Sequence, residues 1–375
     1  MKNSYQNSRD KLLQQSLDFL WRQWTSLGVP GNRSYAGDAI IDPEALLLIT
    51  TELGRDDARL LDLAIDWLHQ EGKRINLQRL KGLKGAVHAG NTRVLAGIAE
   101  ILSEQSVLRK WETLRSSSHV GDPDEERMIP ASGGVSAVHV VRNPDPRFMR
   151  HGLHYPQWKP RHACLPPSPG RPENLLLTLR SLFGVNARAE IMAWLLTHDS
   201  GHPAVIARDT GYFSKSIQAA LNEMEASGVI VAERAGREKH FRLRKHDWAD
   251  LFGFAASTPP PRWIAWPWVY DLIHHTLRLL EKSCTEDVSP LLHSVLQRDF
   301  LNEVAPHLRE SGLRPQMVAE VALKGKHLAD AVLRDVARLG ELLEDDFNQS
   351  GSGGPQVPLA AAWHHLQSQA RPPSP

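Results

Sequence analysis

The sequence predicts a mainly α-helical fold, with N-terminal and C-terminal helical bundles on either side of a central unit that ends in a β-hairpin. Three observations predict it. Apolar residues recur three and four apart through much of Ser4–Arg115 and Arg262–Phe347, the period of helices with one buried face. Val229–Arg244 joins a β-branched run, a glycine and a period-two stretch, as two paired strands require. The composition is that of a globular protein, with 41% hydrophobic and 23% charged residues in a chain of 375.

The central unit is the most informative stretch. Arg188–Leu196 sets Ile191, Trp194 and Leu195 on one helical face. After a small, polar loop (Thr197–His202), Pro203 suits a first helical position, and Ala204–Thr210 reads as a short second helix. Gly211 ends it, because a left-handed residue is needed there. Ser214 is the expected N-cap of a third helix that turns Ile217, Ala220, Leu221 and Met224 inward and stops at Gly228. Val229–Glu233 and His240–Arg244 are the strands, with Gly236 in the reversal.

This order, three helices and a hairpin, is that of a winged helix-turn-helix. The spacing supports it. A small residue lets the two helices cross closely, a glycine makes the turn, and an aliphatic residue locks the second helix; Ala207, Gly211 and Ile217 fill those roles. The outward face of the third helix then carries Lys215, Ser216, Gln218 and Asn222, side chains that reach base edges or phosphate. The ribbon is basic through Arg234, Arg237, Lys239, Arg242, Arg244 and Lys245, with Glu238 as the acid among them. Tyr212 and Ser214 complete the expected DNA-facing set at the head of the helix.

Over Asn186–Lys245, on the residues AVIARDTGYFSKSIQAALNEMEASGVIVAERAGREKHFRL, the chain resembles the winged helix-turn-helix of bacterial transcriptional regulators of the MarR and ArsR type. The resemblance implies a third helix in the major groove of double-stranded DNA and a wing on the backbone or minor groove. It does not extend to the flanks.

The rest of the chain divides by composition. Residues 1–115 are expected as an N-terminal helical domain, with helices near Lys11–Trp24, Asp42–Leu53, Asp57–Glu71, Asn76–Leu83, Thr92–Leu102 and Val107–Leu114. Its Arg79–Lys84 stretch offers a second DNA surface, against the plainer reading of a solvated face paired with nearby acids. Residues 116–172 are a Pro-, Gly- and Ser-rich linker or extended arm, with a short strand expected at Val135–Val141. Residues 173–256 hold the DNA-binding domain, opened by a helix over Glu173–Phe183 and closed by one over Asp247–Phe252. Residues 262–347 form a C-terminal helical domain with helices at Trp268–Lys282, Pro290–Val304 and Pro315–Leu343, the last with an apolar stripe fit for a core or a dimer seam. Residues 348–375 are expected to be a disordered tail.

Net charge is +1 at pH 7, so attraction to nucleic acid must be local. No apolar run is long enough for a bilayer, no signal-peptide core is seen, and Cys164 and Cys284 make no disulfide framework, all of which point to a cytoplasmic protein. His151, His154, His162 and Cys164 lack the paired spacing of a zinc knuckle, so neither a metal nor a cofactor is expected. Catalytic motifs are missing, so the chain is not expected to be an enzyme; a clustered set of buried polar residues within Arg262–Phe347 would revive that reading. The expected function is a sequence-specific repressor acting as a homodimer. Lys215, Ser216 and Gln218 would set sequence preference, and Arg237 and Lys239 salt-dependent affinity. The alternative is a winged-helix adaptor holding a protein partner in a toxin–antitoxin or phage-defence operon.

Overall fold

A computed structural model describes residues 2–117, 143–236, 238–249, 261–285 and 289–348. The fold is mainly α. The first part runs α1 (Lys2–Ser26), α2 (Pro43–Leu53), α3 (Ala58–Glu71), α4 (Leu77–Ala86) and α5 (Thr92–Ser103), followed by a 3-10 stretch over Ser106–Ser117. After α6 (Pro146–Met149) come α7 (Leu175–Phe183), α8 (Ala187–Thr197), α9 (Pro203–Thr210) and α10 (Ser214–Ala226). The antiparallel strands β1 (Ile230–Ala235) and β2 (Glu238–Leu243) follow, then α11 (Lys245–Ala249), α12 (Trp266–Thr285), α13 (Pro290–Glu310) and α14 (Gly325–Glu344). The strand pair is the only sheet among the described residues. No described helix is long and apolar enough to cross a membrane.

The helices expected as separate N-terminal and C-terminal domains share one hydrophobic core. α1 packs on both α12 and α14. Phe19 meets Tyr35, Trp266 and Phe347 at ring-centroid distances of 5.9, 5.6 and 5.8 Å, four aromatic side chains from both ends of the chain. Trp266 Nε1 donates to the Ile40 carbonyl at 2.7 Å, and Arg22 donates to Asp346 at 2.7 Å. Neither end buries its apolar face without the other, so they form one frame.

α14 is shorter than expected. Gly325, at φ +53, begins the helix rather than interrupting it. The preceding segment is held open by Asp335, whose carboxylate accepts from Val318 N and Ala319 N at 2.7 and 2.9 Å. Of the expected apolar stripe, Leu328, Val332, Val336, Leu339 and Leu342 are buried in the shared core, whereas Val318 and Val321, ahead of the helix, are exposed.

The arm between the frame and the central unit is wrapped where it is described, over 143–171; Val135–Val141 and the tail 349–375 lie outside the described residues. Phe148 fills a space against α5 that exists because residue 97 is glycine; a Cβ there would come within 2.5 Å of the ring. Asp66 of α3, fully buried, accepts from the backbone N–H groups of Arg161, His162 and Ala163 at 2.7, 3.0 and 2.8 Å. Burial alone would raise the pKa of Asp66, but these N–H groups stabilise the carboxylate and hold it below its ordinary value. Asp66→Ala is therefore expected to destabilise the fold by about 2–4 kcal/mol at neutral pH, since it orphans three donors. Because the folded-state pKa is lowered, the contribution is complete above the unfolded value of about 3.9 and is lost as pH falls below it. Urea unfolding of both proteins at pH 7 and near pH 3 checks this: the gap should narrow in acid, and an unchanged gap would remove the carboxylate from the account.

The central unit has its own core, built from α7, α8, α9, α10 and the hairpin, with Ile191, Leu195, Ile206, Ile217, Leu221 and Phe241 fully buried. Frame and unit meet across a buried ionic network. Arg180 of α7 donates to Glu44 of α2 (2.6 and 2.9 Å) and to Glu190 of α8 (2.6 Å), and all three side chains are 0–1% exposed. Arg79 of α4 is bidentate to Asp42 at 2.6 and 2.5 Å and donates to the Thr210 carbonyl at the end of α9 at 3.0 Å. Asp42 thus caps α2, as expected, and also neutralises a buried guanidinium. Arg79 is 5% exposed and cannot belong to the second DNA surface considered for Arg79–Lys84; it is paired with acids, but inside the protein rather than on a solvated face.

Candidate functional site

The surface expected to face nucleic acid is built on α10. Ile217, Ala220, Leu221 and Met224 lock that helix to the core. Its other side holds Ser214, Lys215, Ser216 and Asn222 exposed and Gln218 half-buried. Gln218 Nε2 donates to Asn222 Oδ1 at 3.1 Å, an i,i+4 pair that fixes both amides in one orientation. Glu223, near the end of the helix, pairs with Arg188 of α8.

Ser214 departs from its expected role. Phe213 is the N-cap residue, and Ser214 is the first helical residue. The α9–α10 turn is as anticipated: Gly211 is left-handed at φ 73, and its N–H returns to the end of α9. A side chain at Gly211 would also meet the Arg79 side chain at 3.3 Å. Tyr212 is half-buried, and its hydroxyl accepts from Asn76 Nδ2 at 2.7 Å. That bond docks the turn on the frame, so Tyr212 is not a free contact for a ligand.

The hairpin lies against α8 and α10. Its register pairs Ile230 with Leu243 and Ala232 with Phe241, which turns Phe241, Leu243 and Ile230 into the core. A third short segment joins it, unforeseen in the sequence: Gly201 and Phe241 exchange two backbone hydrogen bonds of 2.9 Å. Glycine is needed at 201 because a Cβ would fall 2.3 Å from the Trp194 indole. His198 and His202 of the same loop act locally: His198 stacks on Trp194 at 3.8 Å, and His202 Nδ1 accepts from Ala204 N at 3.2 Å at the start of α9.

The basic side chains of the ribbon are less free than the sequence suggests. Lys239 pairs with Glu225, Arg242 with Glu233, Arg244 with Asp247 and Lys245 with Asp199. Lys215 and Arg234 are exposed cations with no acidic partner among the described residues, and Arg237 lies outside them.

A second constellation sits in the frame, three of its four residues within Arg262–Phe347, where a buried polar cluster would revive the enzyme reading. Asp271 and His275, four apart on one face of α12, meet His307 of α13 and His88 of the loop after α4. Asp271, His275 and His307 are buried, and the His88 ring reaches solvent. Burial would raise the pKa of Asp271, but the neighbouring imidazoles of His275 and His307 and the Ala89 N–H lower it well below the ordinary carboxylate range. The remaining neighbours are ordered too: His274 Nδ1 is 2.6 Å from Glu52 Oε1, and the Trp268 ring packs edge-on against His307. By contrast, His151 is 2.9 Å from Glu100 Oε1 and Cys164 Sγ donates to the Leu63 carbonyl at 3.6 Å, so each is engaged with a different partner.

The Asp271–His275 spacing was visible in the sequence as DLIHH, an aspartate and a histidine one helical turn apart. His307 and His88 are distant in the chain, and no local pattern joins them. In comparisons with known proteins, the chain matches no family model, no curated protein and no solved structure.

Proposed function

We propose that residues 186–245 are a winged helix-turn-helix that binds duplex DNA, with α10 in the major groove and the hairpin against the phosphates, and that the protein is a sequence-specific transcriptional regulator working as a homodimer. The observation that carries this is the open face of α10. Lys215, Ser216, Gln218 and Asn222 stand on one side of a helix whose other side is locked into the core, beside a hairpin with an unpaired cation at Arg234. A helix so presented fits a groove about 12 Å wide. The acid partners of Lys239, Arg242, Arg244 and Lys245 compete with phosphate, so non-specific affinity is expected to be modest and base contacts to matter more.

A second reading, a winged-helix unit docking a protein partner, is favoured by one observation. Phe213, at the head of α10, is 63% exposed, an apolar ring on the same edge as the polar face. Enrichment of duplexes from a randomised pool separates the two. The regulator reading expects one enriched motif, and Gln218→Ala with Asn222→Ala should relax preference at one or two base pairs by about 1–3 kcal/mol each while the fold is kept. The adaptor reading expects no enrichment by either protein.

A further inference from the structure

We propose that His88, Asp271, His275 and His307 bind one divalent transition-metal ion, zinc being the best match, as a structural clip joining α12, α13 and the loop after α4. The ligand atoms of all four residues lie within 4.8 Å of one another. A tetrahedral ion with bonds of about 2.0–2.1 Å needs neighbouring ligand atoms about 3.3 Å apart. The distances straddle that value: His88 Nδ1 to His275 Nε2 is 3.2 Å, and Asp271 Oδ2 is 2.7 Å from His307 Nε2, 3.4 Å from His88 Nδ1 and 3.8 Å from His275 Nε2.

The surroundings orient these atoms as ligands. His307 Nδ1 lies 3.0 Å from the Glu303 carbonyl, an acceptor only, so Nδ1 keeps its proton and Nε2, now hydrogen-bonded to Asp271 Oδ2, is the nitrogen a metal would take in place of a proton. His275 Nδ1 lies 3.3 Å from the Glu303 carboxylate, which favours a proton on that nitrogen and leaves Nε2 for the cluster. Asp271 Oδ1 accepts from His88 N and Ala89 N at 2.7 Å each, which leaves Oδ2 to face the three imidazoles. One carboxylate oxygen cannot serve three ring nitrogens equally well, and neutral rings facing each other through lone pairs repel. A cation among them satisfies every one of these atoms. Three nitrogens and one oxygen suit zinc or a neighbouring first-row ion rather than calcium or magnesium, which take oxygen shells. Four protein ligands leave no open position, the pattern of a structural site.

The test uses the full chain, stripped with a chelator and titrated with Zn2+ against a chromophoric competitor, and with Co2+ followed by its visible absorption. One equivalent should bind, and Co2+ should give the intense band of a four-coordinate site. Asp271→Asn and His88→Ala should each weaken binding by more than about 100-fold, and Glu303→Gln by about 10–100-fold. His88 is exposed, so His88→Ala keeps its circular dichroism and tests the site even where Asp271→Asn does not fold. Absence of saturable binding at one equivalent, a weak octahedral Co2+ spectrum, or affinity unchanged in His88→Ala would overturn the proposal.

Discussion

Arg180→Ala is expected to destabilise the protein by about 3–5 kcal/mol, the cost of leaving a buried carboxylate without its cation. Arg180 is fully buried between Glu44 and Glu190 and also donates to the Arg74 carbonyl at 2.9 Å. Removing it strands Glu190, 1% exposed, in the central unit, and leaves Glu44 of the frame with Arg79, at 2.9 Å, as its remaining cation. Arg180→Lys should recover little, because an ammonium cannot bridge two carboxylates with the fork of a guanidinium. A double variant with Glu190→Gln should be better tolerated than Arg180→Ala alone, since it removes the stranded charge. Urea unfolding reads all three; a loss below about 1 kcal/mol for Arg180→Ala would mean that the network adds nothing to the join.

Phe241→Ala is expected to cost about 3–5 kcal/mol, the range for emptying an aromatic site in a packed core. The ring is fully buried, and its backbone is the point where β2 meets Gly201. The loss should be concentrated in the hairpin. Amide exchange should accelerate over Ile230–Leu243 while α1, α12 and α14, which belong to the other core, keep their protection. Uniform acceleration throughout the chain would mean instead that the two cores unfold as one. A variant with a loosened hairpin and an intact α10 would also report what the hairpin adds to the proposed DNA binding.

Periodicity made the buried face of α10 legible, and the turn at Gly211 followed from the backbone that only glycine adopts cheaply. Segment boundaries in the frame were legible where a cap or a proline marks them, as at Asp42–Pro43. Three kinds of feature were not. Arg79 sits in a run with Lys81 and Lys84 that looks like a solvated face, and only the packing of α4 against α2 and α9 turns it inward onto Asp42. His88, Asp271 and His307 are far apart in the chain and converge only because the two ends share one core. Ion-pair partners such as Glu225 for Lys239 also depend on where a hairpin leans, which residue counts along the ribbon do not give.

The account centres on α10 and the hairpin as a surface for duplex DNA. The measurement that tests it most directly is anisotropy of a labelled duplex carrying the enriched motif, titrated with protein from about 50 to 200 mM salt. The account predicts that log K falls linearly with log salt, that Lys215→Glu with Arg234→Glu weakens binding throughout, and that each lost phosphate contact flattens the slope by about 0.9. Binding that is absent at the lowest salt, or whose salt slope is the same in the charge-reversed protein, would contradict it.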